Sequence, residues 1–189
     1  MTEVPNPHIV DADTLTGEMR PIRRIVLSIG SNLGDRLANL QGAVAALVDT
    51  PDVWVTAVSP VYETDPVDSP EDAEQFLNAV VLADTTLSAV RVLDRALAIE
   101  DAYARERSDV TNAPRTLDVD VILVGDRISE DPALILPHPR AHERAFVLRP
   151  WADIEPGAEI PGHGPILALL EKTGEEGVAR RDDLVLEVE

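Results

Sequence analysis

Hydrophobic positions along the chain switch between a period of two and a period near 3.6. RRIVLSIG reads as a strand over Arg24–Ile29, and the turn GSNLGD follows it. Leu37, Leu40, Val44, Leu47 and Val48 then recur at helical spacing until Pro51 stops the helix. VWVTAVSPVYET predicts a long second strand with Pro60 at a bend or an edge position. A loop rich in Asp, Pro and Glu over residues 63–74 leads to a third strand in QFLNAVVLAD. A helix is expected over Ser88–Arg105 with Val90, Leu93 and Leu97 as its stripe; a charge, Glu100, continues that stripe. A fourth strand, LDVDVILV, completes a β-α-β-β-α-β order, the ferredoxin-like or split-βαβ pattern.

Two helices are expected after that core, over 139–153 and 164–172, with Gly174 ending the second. DLVLEVE alternates like an edge strand. The polar, aperiodic residues 1–22 read as a flexible tail, 23–174 as one domain, and 175–189 as a C-terminal tail or edge strand.

Charge narrows the partners. Sixteen Lys and Arg against thirty-five Asp and Glu give a net charge of -19, which repels nucleic acid and anionic membrane. An anionic small ligand would need a local basic site or metal ions. The chain has no cysteine, so disulfides, thiolate metal sites and cysteine nucleophiles are excluded. With no signal-like start and no apolar run near the ~20 residues of a membrane helix, a cytoplasmic location is expected.

The fourth strand carries the chemistry. Asp118 and Asp120 share one face of it, roughly 6 to 7 Å apart. The flanking residues are apolar, and two unpaired anions there would be costly. A shared proton requires closer carboxyl groups. Arg105, Arg107 and Arg115 lie just upstream, and Mg²⁺ takes one or two carboxylates together with substrate phosphates. Arginines and Mg²⁺ together would form a phosphate clamp, with residues 104–115 as a cover over a polyphosphate. Phe76 and Phe146, the chain's two phenylalanines, could serve the core. With Asn78 near one of them, they could instead hold a flat heterocycle and read its edge. GSNLGD lacks the Lys-Ser/Thr ending of a Walker loop, so a structural turn with Asp35 at the helix start is the better reading.

The blocks SIGSNLGDRLANL, SPVYETDPV, FLNAVV, PRTLDVDVILVGD and LPHPRAHERAFVLRPW, in this order over roughly residues 24–155, resemble the 6-hydroxymethyl-7,8-dihydropterin pyrophosphokinase family. The resemblance implies an α+β fold, with a ferredoxin-like core, an antiparallel sheet and additional C-terminal helices. It implies transfer of pyrophosphate from ATP to the pterin hydroxymethyl group with release of AMP, in folate biosynthesis. Asp118 and Asp120 would ligate two Mg²⁺ ions, and Arg105 and Arg115 would be catalytic. Glu100, Arg107, His138 and Arg144 would serve ATP; Thr64, Val67, Phe76, Asn78 and Phe146 would serve the pterin. A monomer is expected. Three positions depart from the family pattern: Thr111-Asn112-Ala113 stand in place of Arg-Trp-Gly, Pro139 in place of a tyrosine, and Asp65 in place of a proline. The rival readings are a non-catalytic pterin- or nucleotide-binding module and an Mg²⁺-dependent phosphate hydrolase.

Overall fold

The computed structural model describes residues 20–66, 74–103 and 116–188. Its first strand, β1 (Arg23–Ser31), is buried along almost its whole length and is an inner strand of the sheet. Helix α1 (Arg36–Val48) follows; the Asp35 carboxylate accepts a 3.1 Å hydrogen bond from the Ala38 N–H and caps its start. Then come β2 (Val53–Val58), β3 (Tyr62–Thr64), β4 (Phe76–Thr85), α2 (Ala89–Ala102) and β5 (Asp118–Val124). β4 pairs with β1, and β1 pairs with β5, every pairing antiparallel. The expected second strand is broken in two, and both halves pair with β4. Pro60, which has no N–H to give, lies in the break, and the Ser59 hydroxyl accepts the Val80 N–H there at 2.8 Å. The strand order of a ferredoxin-like α+β sheet results.

The C-terminal third adds a hairpin of β6 (Ser129–Asp131) and β7 (Leu134–Leu136). A single 3₁₀ turn (Ala141–Glu143), α3 (Ala145–Ile154), and a short hairpin of β8 (Glu159–Ile160) and β9 (Gly164–Pro165) follow. The chain continues through α4 (Ile166–Thr173) to β10 (Val178–Arg180). The helix expected over 139–153 therefore starts later, after a turn, with Arg144 extended between the two pieces. Gly174 caps α4 at φ 76°.

Two further expectations change. The last edge strand is not DLVLEVE but β10, which pairs antiparallel with β3. Residues 184–188 form no regular element and pack Leu184 and Leu186, partly buried, against the core. The Gln41 side-chain amide on α1 exchanges two 2.9 Å hydrogen bonds with the Glu187 backbone, doing for that segment what a neighbouring strand would. In α2 the buried face is Ala89, Val92, Ala96 and Ile99, whereas Val90 is exposed. The larger residues misled the stripe by one position, because small side chains at 89 and 96 allow close approach to β5.

The sheet buries both faces. Ile25, Leu27, Ile29, Ala79, Val81, Val119 and Val121 point to the side that α1 and α2 cover. Tyr103, at the end of α2, joins this core and fills the notch left by Gly42 on α1, where a Cβ would overlap its hydroxyl. Val26, Val80, Leu82, Ile122 and Leu123 point the other way, to Val147, Leu148, Trp151, Ile160, Ile166 and Leu170 of the C-terminal elements. A β-bulge puts Ile122 and Leu123 on the same face opposite Val26, so the simple alternation of LDVDVILV ends there. The C-terminal elements cover half of that second face. Among the described residues, no helix is long and apolar enough to cross a membrane.

Candidate active site

The remaining half of the second face is polar, and the strand register assembles it. Asn78 on β4, Gly30 on β1 and Asp118 on β5 are direct neighbours across the three strands. One step along, Val80, Ser28 and Asp120 form the next row. On the outer side Tyr62 pairs with Asn78, and Thr64 pairs with Phe76. The chain thus brings one candidate heterocycle reader and one candidate metal ligand into the same row from residues 40 apart in sequence.

At the heterocycle end, the Asn78 amide is buried and donates a 2.6 Å hydrogen bond to the Thr64 hydroxyl. Its oxygen lies over Gly30, where a Cβ would approach it to 2.6 Å and the Phe76 ring to 3.7 Å. Phe76 is half-buried. From α3, Phe146 packs partly into the second core, and the Arg144 guanidinium lies 5.4 Å from its ring centroid. The height of α3 is fixed by Tyr62, whose hydroxyl donates a 2.5 Å bond to Asp153. Burial, then the Asp153 bond and charge, push the Tyr62 pKa up to about 12, so it stays a donor. Asp153 is also paired with Arg149 and Arg180. Sequence reasoning missed Tyr62 and Gly30; the glycine that ends the apolar run of β1 was the available signal.

At the carboxylate end, Asp118 and Asp120 are both partly exposed while Val119 between them is buried. Arg144 donates to Asp120 at 3.2 Å, so part of the counter-charge for this pair is an arginine from the C-terminal third. Glu100 on α2 is 2% exposed, and its carboxylate accepts the Val119 N–H at 2.8 Å. β5 is an edge of the sheet, so this N–H has no neighbouring strand to serve it, and Glu100 holds the strand between the two aspartates. That explains a charge on the buried stripe. It is a bond to the protein's own backbone, made from a position with almost no exposure to a nucleotide.

His138 lies 3.9 Å from Asp120, Nε2 to Oδ2, and its Nδ1 accepts the Arg140 N–H. The proton of the neutral ring therefore sits on Nε2, facing the carboxylates. Burial and then the Arg144 charge push its pKa down from 6.5 to about 4, against the opposing field of Asp118. The unfolded chain takes up this proton near pH 6.5 while the native protein does not, so stability present above pH 6.5 is lost as the pH falls toward 4. His138→Gln is expected to flatten that loss in urea titrations run without nucleotide or metal; equal pH slopes for the two proteins would contradict this placement.

GSNLGD is a structural hub. The Ser31 hydroxyl donates to the Thr116 carbonyl at 2.5 Å, just before β5. Arg36 donates to the Gln75 carbonyl at 2.7 Å, just before β4, and pairs with Glu63 at 2.9 Å. The turn thereby fixes where both site-bearing strands begin. Val67, Arg105, Arg107 and Arg115 lie outside the described residues, as do the positions 111–113 that depart from the family pattern.

The donor set suits a hard cation. Two carboxylates on one strand face supply oxygen ligands only, and no group of three or more His, Cys, Asp or Glu able to hold a metal occurs among the described residues. A zinc site closed by protein ligands is thus not built from them, whereas Mg²⁺ completes its shell with waters and phosphates.

The chain is similar to known proteins in sequence and in fold. The 7,8-dihydro-6-hydroxymethylpterin-pyrophosphokinase (HPPK) family profile matches residues 26–156. A Pseudomonas aeruginosa protein named 2-amino-4-hydroxy-6-hydroxymethyldihydropteridine pyrophosphokinase is 38% identical over 159 residues, 84% of this chain and 97% of its own. Proteins of the same name from Bacillus subtilis and Mycobacterium leprae are 45% identical over 128 residues (68% of this chain, 75% of theirs) and 44% over 172 (82% and 87%). Among solved structures, Plasmodium falciparum HPPK-DHPS with pteroate superposes with a TM-score of 0.65 at 16% identity, covering 87% of this chain. That is a likeness of fold, and this chain spans 46% of that larger protein. The chain belongs to the 7,8-dihydro-6-hydroxymethylpterin-pyrophosphokinase family.

Proposed function

We propose that this protein transfers the pyrophosphoryl group of ATP to the hydroxymethyl group of 6-hydroxymethyl-7,8-dihydropterin, releasing AMP, as a step of folate biosynthesis. The observation that carries the reading is the row Asn78–Gly30–Asp118, which sets a heterocycle reader and a metal-type carboxylate side by side on one open sheet face.

Thr64 and Asn78 bond the edge of the pterin, and Phe76 and Phe146 pack against its faces. By the family resemblance Val67 would also contribute to pterin binding. The pre-formed Thr64–Asn78 bond orders the amide before the substrate arrives, so less entropy is lost on binding. Asp118 and Asp120 would hold two Mg²⁺ ions, which would neutralise charge on the triphosphate. Arg144, which pairs with Asp120 in the free protein, and the neutral His138 would donate to phosphate oxygens. Glu100 supports ATP binding by fixing the Asp118–Asp120 strand. Arg105, Arg107 and Arg115 bring positive charge to the transferring group from the loop. Positioning and charge neutralisation supply most of the acceleration, as expected for transfer of a phosphoryl-type group. All these residues come from one chain, so a monomer suffices.

The test is one assay. The chain is incubated with ATP, Mg²⁺ and the hydroxymethyldihydropterin, and AMP is followed. AMP release that requires the pterin and disappears in Asp118→Asn supports the reading. ATP consumption without pterin would make the protein a hydrolase, and pterin binding without turnover would make it a binding module.

A further inference from the structure

Gly30 takes no part in the chemistry described so far, yet it is the only member of its row without a side chain. It is the penultimate residue of β1 with ordinary extended backbone, so no unusual dihedral demands a glycine there. Space does. A Cβ on Gly30 would stand 2.6 Å from the Asn78 amide oxygen, which no carbon tolerates, while the Phe76 ring at 3.7 Å is at normal contact. The atom in the way is the tip of a side chain, not backbone, so the side chain and not the fold would give way. The Asn78 amide is therefore seated by two features: the Thr64 hydroxyl on one side and the empty position of Gly30 on the other.

We infer that Gly30 is a specificity-determining position of this site: its missing side chain seats the Asn78 amide and leaves the floor clear between the heterocycle reader and the Asp118 platform. The inference rests on the pterin reading proposed above. Two strand spacings, about 10 Å, separate the backbones of Asn78 and Asp118. A flat two-ring heterocycle held at Asn78, with a one-carbon arm directed toward Asp118, has to lie across Gly30. Gly30 acts through the amide and the open floor, so it is a positioning residue and not a catalytic one.

The test compares wild type, Gly30→Ala, Asn78→Ala and the double variant. Oxidised 6-hydroxymethylpterin is titrated by its fluorescence in the presence of Mg²⁺ and a non-hydrolysable ATP analogue; the analogue is titrated separately. Gly30→Ala is expected to weaken pterin binding by about tenfold or more, keep analogue affinity within about twofold, and leave the melting temperature nearly unchanged. The loss in the double variant should be smaller than the product of the two single losses, because one of the two ways Gly30 acts is through the same amide. Wild-type pterin affinity in Gly30→Ala overturns the inference. So do losses that multiply in full in the double variant, or an equal loss for the ATP analogue, which would mark a general structural role. If Asn78→Ala itself binds pterin like wild type, the pterin reading of Asn78 fails first, and that failure is read without Gly30→Ala.

Discussion

Asp120→Asn is expected to lower pterin-dependent AMP release by a factor on the order of 10³, with the protein still folded. The substitution keeps the volume and removes one negative charge from a strand face whose other carboxylate is Asp118. With one anionic oxygen donor fewer, the site would lose hold of the hard cations proposed to balance the triphosphate, and saturating Mg²⁺ should recover only part of the rate. Folding gives a separate readout. In the native protein Asp120 is partly exposed and paired with Arg144, and an ion pair so placed contributes about 0–1 kcal/mol. The melting temperature should therefore move by no more than about 4 °C. Near-wild-type turnover in Asp120→Asn across a Mg²⁺ titration would remove this residue from the metal platform. A large drop in melting temperature would instead mean that its principal role is to hold Arg144.

Trp151→Ala carries the largest expected stability cost, about 3–5 kcal/mol. The indole is 1% exposed in the second core, against Val26, Leu123 and the C-terminal helices, and its Nε1–H donates to Glu155 at 3.0 Å. Truncation removes the largest buried side chain of the molecule and leaves a cavity under α3. The effect should extend to the site, since α3 carries Phe146 at its start and Asp153 near its end. Pterin affinity should fall with stability, and Trp151→Phe, which refills most of the volume, should restore much of both. Chemical denaturation and pterin titration of the two variants check this; an unchanged unfolding midpoint in Trp151→Ala would show that the second core does not depend on this residue.

Much of the fold was legible because its signals are local. The apolar run of β1 and the Asp35 start of α1 needed nothing beyond neighbours in sequence. Pro60 marked its break for the same reason: a missing N–H is a property of one residue. Errors arose where the tertiary context chose between local options. Val90 looked like core and is exposed, because α2 approaches β5 on its alanines at 89 and 96. The DLVLEVE segment has the alternation of a strand, but the β3 edge was taken by β10, and a side-chain amide of α1 satisfies its backbone instead. In β5, the bulge at Ile122 and Leu123 reverses which residues face which core, and nothing in the hydrophobic pattern announces it.

The candidate site divides along the same line. The sequence by itself determined the chemical inventory: two carboxylates with one residue between them, a glycine ending the first strand, an amide beside a phenylalanine, and a buried-pattern glutamate. These follow from residue identity and, at Asp118 and Asp120, from the two-residue period of a strand, which holds up to the bulge at Ile122 and Leu123. Only the tertiary structure decided how the inventory is joined. Antiparallel register put Asn78, Gly30 and Asp118 in one row, a relation between three strands that no single segment encodes. Packing brought Arg144 to Asp120 and Tyr62 to Asp153, contacts between residues 24 and 91 positions apart. The edge position of β5 gave Glu100 its partner. Long-range pairing is selected by the burial of whole faces, so its consequences appear only when the sheet is complete.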